Sequence, residues 1–271
     1  MFQQLDFQAC LKIISMVSGK MLLKPIFWIL FLALILRLWG INYALPQFFV
    51  NDERANVYGA LKMLELRTLV PAWHEEEFRR VLNYLPLPSY VYLVALAPVI
   101  GLAYLISNYP SIEAYRAALV LDPTIIFVTA RSVIALMGVA TTYLTYRLGR
   151  QIFSSERAGL LAAIFLSFSF YHLQLSHVTR HWMPAALAMS VAWLAIFEIY
   201  RNASLRAYLL SGFFAGLGVG ANTAAASVMI PAIAAHFMRP SEQGLRRQGD
   251  SRRLALLGIV FLAVSLSFIV L

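Results

Sequence analysis

The chain has 271 residues, 61% of them apolar and only 13% charged, with a mean hydropathy of +0.72. These values lie outside the range of soluble domains and exclude a water-soluble fold. The net charge of +9 does not point to nucleic acid, because the basic residues sit in short blocks between uncharged runs, where they orient spans and meet anionic head groups. A single cysteine, Cys10, excludes an internal disulfide framework and any cysteine-rich metal site.

Residues 1–24 carry Lys12, Lys20 and Lys24 and read as a cytoplasmic amphipathic approach segment, since no small-residue cleavage site follows the apolar run. Apolar runs of roughly 17 to 22 residues, long enough to cross a hydrocarbon core about 30 Å thick, recur from there on. The first covers about Pro25 to Ile41, with Arg37 near its outer end, placed to snorkel. Others cover about Ile125 to Tyr146, Ala158 to Leu175, Met183 to Tyr200, Tyr208 to Ala221, Ala224 to Met238, and Leu254 onward. The fold class is therefore all-α, a polytopic helical membrane protein with about seven spans. The chain stops at Leu271 inside an apolar run, as expected of a piece of a longer protein.

The run from Pro88 to Ile106 is apolar enough to cross but contains Pro88 and Pro98. Parity of the topology decides its reading. If it does not cross, the cytoplasmic side collects the three N-terminal lysines together with Arg147, Arg150, Arg157, Arg201, Arg206, Arg239, Arg246, Arg247, Arg252 and Arg253. If it crosses, those arginine-rich turns face out, against the positive-inside rule. It is expected to be a juxtamembrane or re-entrant helix, inside one outer loop covering residues 42–124. That loop holds eight acids (Asp52, Glu53, Glu65, Glu75, Glu76, Glu77, Glu113, Asp122) against six bases. A loop of this length folds or carries function.

Within it, Asn51-Asp52-Glu53 opens an amphipathic stretch with Val57, Leu61 and Leu64 on one side, a helix lying on the membrane. Asn51 suits an N-cap, and acids in the first turn favour the helix dipole whatever the function. The same geometry holds a carboxylate at the lipid–water boundary, where it can take a proton from a hydroxyl or help bind a divalent cation. The run Trp73-His74-Glu75-Glu76-Glu77 reads first as a solvated face and second as a metal site. Asn83 to Tyr90 joins prolines, which fix an entry angle, to interfacial tyrosines.

Arg131 stands about two turns into the second span, where a cation needs a partner, a cavity or a route to the interface. His177, Arg180, His181 and Trp182 cluster at the outer ends of two adjacent spans, with groups suited to a phosphate or a sugar ring. Gly212, Gly216, Gly218 and Gly220 predict close helix packing before a polar turn at Asn222-Thr223.

In order and spacing these features resemble the GT-C superfamily of polytopic glycosyltransferases that use lipid-phosphate sugars, including protein O-mannosyltransferases and aminoarabinose transferases. The resemblance covers about residues 25–240. It rests on the acidic pair, the proline-tyrosine helix start from Tyr84 to Tyr90, Arg131 followed by YRLGRQIF, the SH-x-x-x-x-x-x-P pattern from Ser176 to Pro184, and the turn GLGVGANT. It departs at Trp182, where many relatives have an aspartate, and at Asn222, near which they have a lysine.

The resemblance implies inverting transfer of a sugar from a polyprenyl-phosphate donor to a hydroxyl of a protein, lipid or glycan acceptor, on the outer side of a bacterial inner membrane. Asp52 is then the base, with Glu53 assisting it or a divalent cation. Arg131, His177, Arg180, His181, Tyr84 and Asn222 are the substrate-binding candidates. A transporter or flippase of lipid-linked substrates is the alternative, and it requires polar residues facing inward on several spans.

Overall fold

A computed structural model describes residues 24–47, 52–79, 85–239 and 250–270 of the chain. The described residues are helical, with no strand among them. In chain order the helices are α1 (Pro25–Leu38), α2 (Glu53–Leu66), α3 (Glu75–Arg79), α4 (Leu87–Ile106), α5 (Ile112–Leu121), α6 (Thr124–Ile152) and α7 (Glu156–Phe168). There follow α8 (Phe170–Leu175), α9 (Trp182–Asn202), α10 (Leu205–Ala221), α11 (Met229–Met238) and α12 (Asp250–Val270). Two 3-10 turns, Pro71–His74 and Thr223–Val228, lead into α3 and α11.

Four of these, α4, α6, α9 and α12, are long and apolar enough to cross a membrane by length and composition. The 29 residues of α6 rise about 44 Å, more than a hydrocarbon core needs. α1, α10 and the segment Thr223–Met238 are apolar but shorter. α4 continues through Pro98 without interruption, so its length alone is compatible with crossing.

Serine caps begin the helices where the sequence changes character. The Ser155 and Ser204 side chains accept from the amides of Ala158 and Ala207, opening α7 and α10. Both caps lie at the end of the bundle that gathers Arg147, Arg150, Arg157, Arg201 and Arg206. There Arg253 donates to the Ala203 carbonyl at 2.7 Å. The opposite end carries α2, α3 and the polar turns that follow α8 and α10.

The apolar run expected to be continuous from Ala158 to Leu175 is broken at Ser169, between α7 and α8. Just before the break, the Ser167 hydroxyl turns back onto the Ala163 carbonyl at 2.7 Å, a bond that bends helices. Arg37 does not snorkel. It is fully buried, donating to the Ala33 carbonyl at 2.9 Å and to His172 Nδ1 at 2.8 Å. Gly138 makes room for it, since a methyl group there would lie 2.8 Å from Arg37 Nε and 2.5 Å from Ser176 Oγ.

Two cores hold the bundle. One joins α9 to α12 through Ile196, Ile199, Tyr208 and Leu257; the other joins α2, α4, α6 and α9 through Val57, Tyr92, Phe127 and Met183. The expected glycine packing is present and directional. A Cβ at Gly212, Gly216 or Gly220, one turn apart on α10, would meet α12 at 2.6, 2.7 and 2.6 Å, while Gly218 faces Ala225 at 2.8 Å. Because Gly212 abuts the Leu257 carbonyl, which cannot swing away, Gly212→Ala is expected to destabilise the protein by about 1–3 kcal/mol. Gly258→Ala on α12 meets nothing within 4 Å and is expected to stabilise by up to about 1 kcal/mol through helix propensity. Thermal unfolding of the two variants in one detergent checks the contrast.

Candidate active site

Asp52 and Glu53 stand at the start of α2, and adjacency sends their side chains in different directions. Glu53 turns inward and is 1% exposed. Arg131 grips it bidentately, Nε to Oε1 at 2.7 Å and Nη2 to Oε2 at 2.8 Å. The remaining terminal nitrogen, Nη1, donates to the carbonyls of Ile41 and Tyr43, both at 2.8 Å. Thr179 completes the arrangement, its amide donating to Glu53 Oε1 at 3.2 Å and its hydroxyl to the Glu53 carbonyl at 2.9 Å. One buried ion pair thereby fastens the turn after α1, the start of α2, the span α6 and the segment before α9. Such a pair withstands desolvation because its geometry is bidentate and its other lone pairs and protons are occupied.

Asp52 turns outward and pairs with Arg180, at side-chain exposures of 40% and 30%. Its carboxylate is an ion-pair partner rather than a helix cap, since it makes no capping bond to α2. Arg180 Nε is buried without a hydrogen-bond partner. His181 follows directly. Burial, and next the neighbouring Arg180 charge, hold its pKa below the ordinary histidine value, with Asp52 pulling the other way, so the ring is neutral at neutral pH.

His181 also forms part of the wall of a cavity of about 640 Å³. Glu75 and Arg79 of α3, Pro86 before α4, Asn222 after α10 and Phe268 of α12 contribute other parts of that wall. The wall therefore combines polar and charged groups with apolar ones, Phe268 and Ile269 among them. Two structural details shape it. Gly220 lets the Phe268 ring lie directly on α10, and the Asn222 side chain accepts from the Ala224 amide at 2.9 Å to start the following turn.

A family model described as dolichyl-phosphate-mannose-protein mannosyltransferase matches residues 127–270, just over half of the chain. The chain belongs to this family. It is accordingly an integral membrane protein of mannosyltransferase-like glycosyltransferase type. No curated protein and no solved structure matches it. The matched region contains Arg131, Thr179, Arg180, His181 and Asn222, while Asp52, Glu53 and the α3 residues lie before it.

Of the residues singled out from sequence in this mannosyltransferase-family chain, Asp52 and Arg180 meet at the surface, and Glu53 and Arg131 meet beneath them. His181 and Asn222 share the cavity wall. His177 is not among the residues that line the cavity: its ring nitrogens face the carbonyls of Leu173 at 2.8 Å and Trp39 at 3.1 Å, tying α8 to the end of α1. Tyr84 and Asn51 lie outside the described residues. Among the described residues no three His, Cys, Asp or Glu side chains converge as a metal site. With both oxygens on Arg131, and one also on Thr179, Glu53 does not join Asp52 in presenting two carboxylates to one cation. Thr179, Arg79 and Phe268 carry no signal of their own in the sequence. Thr179 lies inside the stretch that drew attention, but its role is invisible without the carboxylate it touches.

Proposed function

We propose that this protein transfers a sugar from a polyprenyl-phosphate donor to an acceptor hydroxyl at the extracytoplasmic face of a bacterial inner membrane, with Asp52 as the general base. The observation that carries the proposal is the Asp52–Arg180 pair, solvent-accessible and next in sequence to His181 of the cavity, seated on the buried Glu53–Arg131 clasp. In the reaction the acceptor O–H gives its proton to Asp52 as its oxygen bonds to the anomeric carbon. The bond from that carbon to the phosphate oxygen breaks on the opposite face, and the lipid phosphate leaves with the electron pair. The product is inverted at the anomeric centre. Glu53 and Arg131 act by position, because their polar atoms are consumed by each other and by the backbone. Asn222 and His181 border the sugar, and Arg180 orients Asp52.

The sidedness follows from charge. The end opposite the cavity carries the arginine-rich turns, which the positive-inside rule assigns to the cytoplasm. That assignment makes α4 a juxtamembrane helix of the outer loop. The presence of both charged and apolar groups in the cavity wall suits an amphiphilic donor with a charged head and a hydrocarbon tail.

The test is sugar transfer by the purified, detergent-solubilised protein in its full natural length, supplied with a panel of radiolabelled polyprenyl-phosphate sugars and membrane extract as acceptor. A transferase forms labelled product without any compartment. A transporter forms none, and that result would sink the reading.

A further inference from the structure

We propose that Arg79 is the residue that receives the phosphate group of the lipid-linked substrate in the cavity. The inference rests on the transferase reading and extends it to a residue that lies outside the family-matched region. A phosphate beside apolar surface is best held by a guanidinium that can donate two parallel hydrogen bonds. Among the described residues the cationic candidates near the cavity are few, and most are committed. Arg131 gives four hydrogen bonds to Glu53, Ile41 and Tyr43. Arg180 is paired with Asp52. His181 is neutral at neutral pH because burial and Arg180 disfavour its charged form.

Arg79 alone among the described arginines and lysines lines the cavity itself. It is exposed and enters no ion pair among the described residues. Glu75 lies one turn earlier on α3, faces the same space and likewise makes no ion pair there. The two are therefore separately available, a cation for the phosphate and an acceptor for hydroxyl groups of the attached sugar. Phe268 and Ile269 at the end of α12 and Pro86 before α4 add apolar surface to the same wall, against which a hydrocarbon chain can lie. Ile269 is 55% exposed, so part of this apolar surface faces outward. The shared chemistry is a phosphate ester on a hydrocarbon chain, and a free phosphate lacks the second half of it.

The experiment measures binding of radiolabelled undecaprenyl phosphate to the full chain in phosphatidylcholine nanodiscs, by scintillation proximity, for the parent protein, Arg79→Gln, Arg79→Lys, Glu75→Gln and Asp52→Asn. Inorganic phosphate is the competitor. Arg79→Gln is expected to weaken binding about 10- to 100-fold, the effect of removing one charge-assisted partner. Arg79→Lys should recover part of it, because the charge returns without the planar fork. Glu75→Gln should bind at least as well as the parent, and Asp52→Asn should bind equally while losing transfer. Parent-like affinity in Arg79→Gln overturns the assignment of Arg79 and leaves the transferase reading standing. Absence of binding to the parent chain overturns the lipid-phosphate reading and this proposal with it. Displacement by millimolar inorganic phosphate overturns the lipid-borne part of the claim, and resistance to it supports that part.

Discussion

Replacing Glu53 with glutamine is expected to cost about 3–5 kcal/mol of stability, although the side chain keeps its shape. The reason is the partner left behind. Arg131 is 6% exposed at its side chain, inside a span, and it makes no ion pair with another carboxylate among the described residues. The glutamine amide would also point a donor at a guanidinium nitrogen that itself donates. The loss would spread to everything the clasp fastens: the Ile41 and Tyr43 carbonyls, the Thr179 amide and the first turn of α2. Thermal unfolding of Glu53→Gln, Arg131→Gln and the double variant would show each single change costly and the double change less than their sum. A Glu53→Gln chain that melts with the parent would show the clasp to be energetically idle.

Asp52→Asn is expected to lower kcat for sugar transfer about 10²- to 10⁴-fold, the contribution of a positioned general base, while leaving the fold intact. The contrast with its neighbour is set by exposure. The Asp52–Arg180 pair lies at side-chain exposures of 40% and 30%, and ion pairs so placed contribute below about 1 kcal/mol. Asparagine can still accept a hydrogen bond from Arg180 but cannot accept the acceptor's proton, so the loss should fall on kcat rather than on KM. Arg180→Gln should produce a smaller loss of the same kind, since it releases Asp52 without removing the base.

Much of the helical architecture is legible in sequence because hydropathy acts on every residue of a span. The runs at 25–41, 125–146, 183–200 and 208–221 all have helices at or near their places. Local exceptions depend on contacts that no periodicity encodes. Arg37 reads as an interfacial cation, yet Gly138 and His172, more than a hundred positions away, create an interior slot for it. The break at Ser169 accompanies a Ser167 hydroxyl bonded back to the Ala163 carbonyl, which composition does not reveal.

The site divides in the same way. The pair Asp52-Glu53 and the stretch Ser176 to Pro184 are readable as chemistry, because acids at a helix start and clustered histidine and arginine are uncommon beside spans. Which acid faces outward is not readable. That depends on Arg131, 78 positions from Glu53, and on Thr179, 126 positions from it. Arg79 is the harder case. In sequence it closes an EEEFR helix indistinguishable from a solvated face, and only the convergence of α3, the start of α4, the turn after α10 and the end of α12 makes it part of a cavity wall.

The division of labour between the two acids is tested most directly by one comparison: kcat for sugar transfer by purified Asp52→Asn whose melting temperature matches that of the parent chain. The expected value is about one hundredth of the parent's or less. Transfer at the parent rate from that folded variant would contradict Asp52 as the base.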